Sequence, residues 1–314
     1  VSVTAPPACA SSLEAIGNTP LVRLAKLMPD LAGDVYVKLE SFNPTGSYKD
    51  RMALAMIEEA ERRGDLRPGM TVVEYTGGST GSSLAFVCAV KGYHLKVVTS
   101  DAFAQEKLRT MRAFGAELEV IPSQGGKITP DLIPAMVERA RRLAAREDVY
   151  FTDQFRNPDV ATGYEALGRE VAAQIGGPVQ AFCAGVGSGG MLVGASKGLR
   201  ETQPACRVVA LEPASAPMLT QGRPGTHHVE GIGVGFVPPL LEEGGYDEAR
   251  AVDESVARDT ARALARREGI FAGTSSGLNV AAAIDLAREL GPGHAVVTVA
   301  VDSGLKYLAG ELFG

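Results

Sequence analysis

Thr71-Val-Val-Glu-Tyr-Thr-Gly-Gly-Ser-Thr-Gly-Ser-Ser-Leu-Ala-Phe-Val-Cys-Ala-Val90 is the stretch on which the fold turns. Thr71 to Tyr75 is β-branched or aromatic around a single carboxylate, the composition of a strand buried on both faces. Small residues fill Thr76 to Gly81, and an apolar helical run carries on to Val90. A strand that enters a helix through a small-residue turn is half of a parallel β-α-β unit. The pattern recurs along the chain. Further strands are expected at Val35 to Leu39, Leu95 to Thr99, Leu118 to Ile121, Val179 to Ala184, Arg207 to Leu211 and Ala295 to Ala300. Between them, amphipathic periodicity predicts helices over Met52 to Arg63, Gln105 to Phe114, Leu132 to Arg146, Val160 to Ile175, Met191 to Glu201, Val256 to Arg267 and Gly277 to Leu290. Such alternation predicts an α/β fold with mostly parallel sheets, and 314 residues suit two domains.

Composition narrows the function. With 45% hydrophobic and 22% charged residues the chain reads as a globular protein of the cytoplasm, and its net charge of -6 gives no reason to expect nucleic acid or an anionic membrane. Cys9, Cys88, Cys183 and Cys206 are widely spaced and form no Cys-x-x-Cys pair, so free thiols in a reducing compartment are expected. No apolar run approaches the ~18 residues of a membrane span. The start, Val1-Ser-Val-Thr-Ala-Pro-Pro7, lacks a basic leader and reads as part of a loose tail over residues 1–11.

Ligands of parallel sheets gather at the carboxyl ends of strands, so the strand-to-helix loops carry the chemistry. Asn43-Pro-Thr-Gly-Ser-Tyr-Lys49-Asp-Arg51 places a lysine at the mouth of a helix, where it opposes the helix dipole and needs a local reason. A surface lysine closing a turn is the competing reading. Thr76, Gly77, Gly78, Ser79, Thr80 and Gly81 can close backbone N–H groups and hydroxyls around a carboxylate. Gly185-Val-Gly187-Ser188-Gly189-Gly190 suits a phosphate at a helix start and spells Gly-x-Gly-x-x-Gly; with Glu212 ending the next strand it also satisfies a dinucleotide fingerprint. Ala272-Gly-Thr-Ser275-Ser-Gly277 reads by itself as a serine helix cap. Gln221 to Pro239 reads as a long functional loop, and the adjacent His227-His228 pair as structural, not as a metal site.

These loops, in this order, accompany Ile16-Gly-Asn-Thr-Pro-Leu-Val-Arg-Leu24, Gln154-Phe-Arg-Asn-Pro158, Gly231-Ile-Gly-Val-Gly-Phe-Val-Pro238 and Asp302-Ser-Gly-Leu-Lys-Tyr-Leu308. The chain resembles the cysteine synthase and cystathionine β-synthase family of fold-type II pyridoxal phosphate enzymes over nearly its whole length. That resemblance implies two three-layer α/β domains with mostly parallel twisted sheets. It assigns residues 45–150 to a smaller mobile domain, and 12–44 with 151–314 to a larger one that holds the cofactor phosphate. Pyridoxal 5'-phosphate is the implied cofactor, Lys49 its covalent partner and the base for the substrate α-proton, and a homodimer the implied assembly. Gly187, Ser188, Gly189 and Gly190 match the phosphate cup, with Met191 where the family usually has Thr, and Ser275 matches the group facing the pyridine nitrogen. Thr76 to Thr80, Gln154 and Gly231 match the substrate contacts, and Ser79 also a cofactor contact. The chain departs from the family at Gly77, usually Ser, and at Ser79, usually Asn. The implied reaction is β-replacement on serine or an O-activated serine through an aminoacrylate, with sulfide or a thiol as nucleophile. β-Elimination by a desulfhydrase or dehydratase is the alternative, and nicotinamide dinucleotide binding at Gly185 to Gly190 the second.

Overall fold

The computed structural model describes residues 8–314 except Pro29, Leu31, Ile128, Pro130 and Glu243. Residues 1–7 of the expected tail lie outside the described residues. In chain order the elements are β1 (Leu21–Arg23), β2 (Asp34–Leu39), α1 (Lys49–Arg63), β3 (Thr71–Tyr75), α2 (Ser79–Lys91), β4 (His94–Ser100), α3 (Gln105–Ala113), β5 (Glu117–Ile121), α4 (Leu132–Ala144), β6 (Val149–Phe151), α5 (Asp159–Ile175), β7 (Ala181–Gly185), α6 (Gly190–Arg200), β8 (Arg207–Pro213), α7 (Met218–Gln221), α8 (Pro239–Glu242), β9 (Glu248–Val252), α9 (Glu254–Ala263), α10 (Thr274–Leu290) and β10 (Ala295–Ala300).

They build two sheets. One has the order β1-β2-β10-β7-β8-β9, parallel except for β1, and the other, β5-β4-β3-β6, is wholly parallel. Every strand of the second comes from residues 71–151, so the expected break at 150 cuts β6, whose Phe151 pairs with Val73. The register brings the carboxyl ends of β2, β10 and β7 together in one sheet and those of β3, β4 and β6 in the other. Strands β7 and β8 are buried along almost their full length, as parallel strands covered on both faces must be.

Helix α6 is held by absent side chains. Gly190, Gly194 and Gly198 recur every fourth residue and face α5, where a Cβ on Gly194 would lie 2.0 Å from the Ala161 carbonyl oxygen and one on Gly198 2.0 Å from that of Glu165. The two backbones therefore touch, and the amino end of α6 is fixed close to the start of α5.

Candidate active site

Lys49 is the first residue of α1, and the turn before it is pinned on both sides. Thr45 donates from its amide and hydroxyl to the Asp50 carboxylate at 2.8 and 2.6 Å. The Tyr48 N–H donates to the Val301 carbonyl at 2.9 Å, and Ser47 bridges to Asp302, so the turn is stitched to the end of β10. Two residues further on, Arg51 forms bidentate pairs with Glu40 at 2.7 and 2.8 Å and with Glu170 at 2.8 Å on both arms. Lys38 also reaches Glu170 at 2.7 Å. Burial pushes the Glu170 carboxyl up, but Arg51 and Lys38 outweigh it and hold the group down at about 2. This network ties α1 to β2 and α5, and thereby sets where Lys49 points.

The Lys49 residue is only 9% exposed, and its Nζ makes no hydrogen bond or ion pair with any described residue. It lies 4.9 Å from the centroid of the Tyr48 ring. Burial pulls its pKa down to about 8 against the opposing fields of Glu74 and Asp302. An amine so placed is partly unprotonated near neutral pH, which is what a nucleophile or a base needs.

Around Lys49 is a cavity of about 560 Å³, lined among others by Thr76, Gly77, Gly78, Ser79, Thr80, Gln154, Gly187, Ser188, Gly231 and Ser275. Gly189 and Gly190 are not in its wall: added Cβ atoms there would meet Leu241 at 2.9 Å and Val160 at 2.2 Å. Helices α2 and α10 start at this cavity and α6 starts just behind Ser188 of its wall, with Gly78, Gly273 and Gly189 as their cap residues and no side chain capping any of them. Uncapped N–H groups and the positive ends of helix dipoles favour anions. Serine capping of α10 is thereby corrected: Gly273 holds the cap position, and Ser275 sits inside the first turn with its residue in the cavity wall.

Two polar side chains are oriented by their neighbours. Thr80 Oγ1 donates to Gln154 Oε1 at 2.8 Å, and the Gln154 NH₂ group makes no hydrogen bond with any described residue. Beneath it, buried Glu74 accepts from Thr152 Oγ1 at 2.7 Å, Gln154 N at 3.1 Å and Tyr75 N at 2.9 Å, yet burial still pushes its carboxyl up to about 7. Both departures from the family have physical settings. Ser79 Oγ accepts from Lys306 Nζ at 3.2 Å, so its own proton is free to be donated elsewhere. A Cβ on Gly77 would lie 1.9 Å from Cγ of Phe103, so the aromatic ring has taken the space of the usual side chain.

Several wall residues are not among the site candidates, although Phe155 and Asp302 fall inside quoted motifs. Phe103 and Lys107 follow β4, Phe155 follows β6, and Asp302 follows β10. Asp302 is 5% exposed; its Oδ2 accepts from Tyr307 OH at 2.8 Å, while Oδ1 is buried without a partner. Lys107 pairs with Glu230 across the cavity mouth, joining α3 to the long loop before Pro239. The rule that ligands sit at strand carboxyl ends points to all of these positions. His227 Nε2 contacts the Gly233 carbonyl at 2.8 Å and Nδ1 accepts from Val229 N at 3.2 Å, which shapes the loop, and both His227 and His228 stand in the cavity wall. Among the described residues no group of His, Cys, Asp or Glu could hold a metal.

The dinucleotide reading fails on Glu212. Its carboxylate accepts from Leu219 N at 2.6 Å, Thr220 N at 2.9 Å and Thr220 Oγ1 at 2.7 Å, so it serves the start of α7, and the buried residue has no place in the cavity wall. A lone buried amine among uncapped helix starts fits a group carrying both an aldehyde and a phosphate, and the orphaned Asp302 oxygen awaits a donor.

Fold and site together define an α/β enzyme of the fold-type II kind, with a buried lysine in the wall of its cavity. The family described as "Pyridoxal-phosphate dependent enzyme" matches residues 13–302, and the chain belongs to it. A cysteine synthase of Staphylococcus aureus is 43% identical over 300 residues, covering 95% of both chains. An O-ureido-L-serine synthase of Streptomyces lavendulae is 40% identical over 305 residues, covering 96% of this chain and 92% of that one. Among solved structures, a cysteine synthase of Entamoeba histolytica superposes with a TM-score of 0.92 at 30% identity, covering 100% of this chain and 94% of the other.

Proposed function

We propose that the chain catalyses β-replacement on serine or an O-activated serine, such as O-acetylserine or O-phosphoserine, with sulfide as the nucleophile and L-cysteine as the product. The observation that carries this is the buried Lys49 amine, unpartnered among the described residues, in a cavity that has the uncapped starts of α2 and α10 and the Gly187-Ser188 turn before α6 in its wall. Bound there, pyridoxal phosphate supplies an electron sink that acidifies the α-hydrogen of an amino acid joined to it. The chain's residues do the rest. Lys49 holds the cofactor and, once displaced, takes the α-proton at Nζ, which its lowered pKa allows near neutral pH. Gly187 and Ser188 hold the phosphate with the first turn of α6, and Ser275 faces the pyridine nitrogen. As a neutral hydroxyl Ser275 supports a ring cation less than a carboxylate would, which favours loss of a β-substituent over prolonged carbanion chemistry. Thr76 to Thr80, Gln154 and Gly231 take the substrate and its carboxylate.

Residues 45–150 act as the smaller, mobile unit, and the Lys107 to Glu230 pair supports closure that excludes water. Exposed Phe42, Leu305 and Leu308 support assembly as a homodimer, and the reducing environment suited to free thiols supports a cytoplasmic site of action. No helix among the described residues is long and apolar enough to cross a membrane.

Borohydride reduction of the coloured protein followed by peptide mass mapping tests the core of this reading: the adduct is expected on Lys49 alone, and one elsewhere refutes it. Cysteine formation from O-acetylserine and sulfide separates replacement from elimination, which releases pyruvate with no nucleophile added.

A further inference from the structure

The cavity around Lys49 adjoins a second one of about 630 Å³, and Thr76, Gly77, Phe103 and Phe155 stand in the walls of both. Sulfide, a single heavy atom, has no use for such room. The walls of the second cavity are aromatic: Tyr75 stacks on Phe155 at 6.2 Å and 19°, and Phe155 meets Phe236 at 5.6 Å and 56°. Gly77 carries no side chain because the Phe103 ring fills that space, which puts an aromatic surface where the two cavities meet. Arg141 and Arg156 also line the second cavity, and neither forms an ion pair among the described residues. Asp153 is the single carboxylate in that wall among the described residues, against two arginines.

From this continuity and charge, we infer that the second cavity is a subsite for the body of the nucleophile, and that the chain accepts a planar aromatic thiol bearing a carboxylate. Its ring lies against Phe103, Phe155 and Phe236, its carboxylate meets Arg141 and Arg156, and its sulfur points toward the Lys49 cavity. The inference rests on the β-replacement reading. Overall, an S–Cβ bond forms as the Cβ–O bond breaks; the oxygen leaving group departs with the electrons of the broken bond and takes the thiol proton. Nothing is oxidised or reduced.

The test uses holoenzyme with saturating O-acetylserine and compares sulfide, benzenethiol and 3-mercaptobenzoate by kcat/KM, with the thioether confirmed by mass. In the wild type, 3-mercaptobenzoate should exceed benzenethiol by about tenfold or more, the scale of a charge-assisted carboxylate contact. Arg141→Gln combined with Arg156→Gln should bring that ratio close to one. Phe236→Ala, at a residue 46% exposed and so safe for folding, should lower both aryl thiols relative to sulfide by about fivefold. Equal kcat/KM for the two aryl thiols in the wild type, or a ratio that the arginine substitutions leave unchanged, overturns the subsite. Turnover of sulfide without any aryl thioether rejects the subsite while leaving β-replacement standing; no product from any nucleophile refutes both.

Discussion

Lys49 should make the cofactor-free protein less stable below pH 8 than a variant without the charge. Its pKa lies at about 8 in the folded chain against 10.5 for the free side chain, because burial penalises the ammonium. The unfolded chain therefore binds this proton more tightly, and stability must rise with pH wherever the two states differ in protonation. The penalty is complete below the folded value and vanishes above the unfolded one. At about 1.36 kcal/mol per pH unit the difference amounts to roughly 3 kcal/mol near pH 7, falling by about 2 kcal/mol by pH 9.5. Lys49→Met keeps the apolar stem and removes the charge. Urea unfolding of both cofactor-free proteins, followed by circular dichroism, should show the variant more stable by about 3 kcal/mol at neutral pH, with the gap closing toward pH 9.5. A gap that does not change with pH, or one that favours the wild type at neutral pH, would refute the account of Lys49 as a desolvated amine.

Three further outcomes follow from the packing and charges. Gly77→Ser drives its Cβ into the Phe103 ring and should cost about 1–3 kcal/mol, measured by thermal unfolding, and Phe103→Ala in the same chain should recover most of the loss. Arg51→Met leaves Glu40 and Glu170 without their shared cation and should cost about 3–5 kcal/mol in denaturant unfolding, with lower cofactor occupancy read from absorbance because α1 loses its anchor. Glu74 has a folded pKa raised to about 7, so its contribution is full below its ordinary value of 4.5 and is lost as pH rises through 7. The stability of the wild type relative to Glu74→Gln should therefore fall by about 3 kcal/mol between pH 4 and pH 8; a flat difference would refute the assignment.

Edge strands account for most of what the sequence concealed of the fold. Strands β1, β6 and β9 are at sheet edges, two of them three residues long, and β6 pairs with β3 and not with a neighbour in the chain. A short edge strand buries too little to leave a periodic apolar signature. Arg141 of α4 stands in the wall of the second cavity, a position that helical periodicity by itself does not single out.

Sequence alone determined the alternation of strands and helices, the parallel sheets and the small-residue loops that follow particular strands, because those depend on local periodicity and on residues that a tight turn admits. It also raised Lys49 as a candidate through the turn that carries it, and the family resemblance implied its role. Only the tertiary structure decided that Gly77 yields its space to Phe103, that Ser79 is backed by Lys306, that Glu212 is committed to α7, and that Asp302 has an unpartnered oxygen. Each of these is a contact or a vacancy between residues far apart in the chain, and close approach across a cavity leaves no trace in the spacing of either partner.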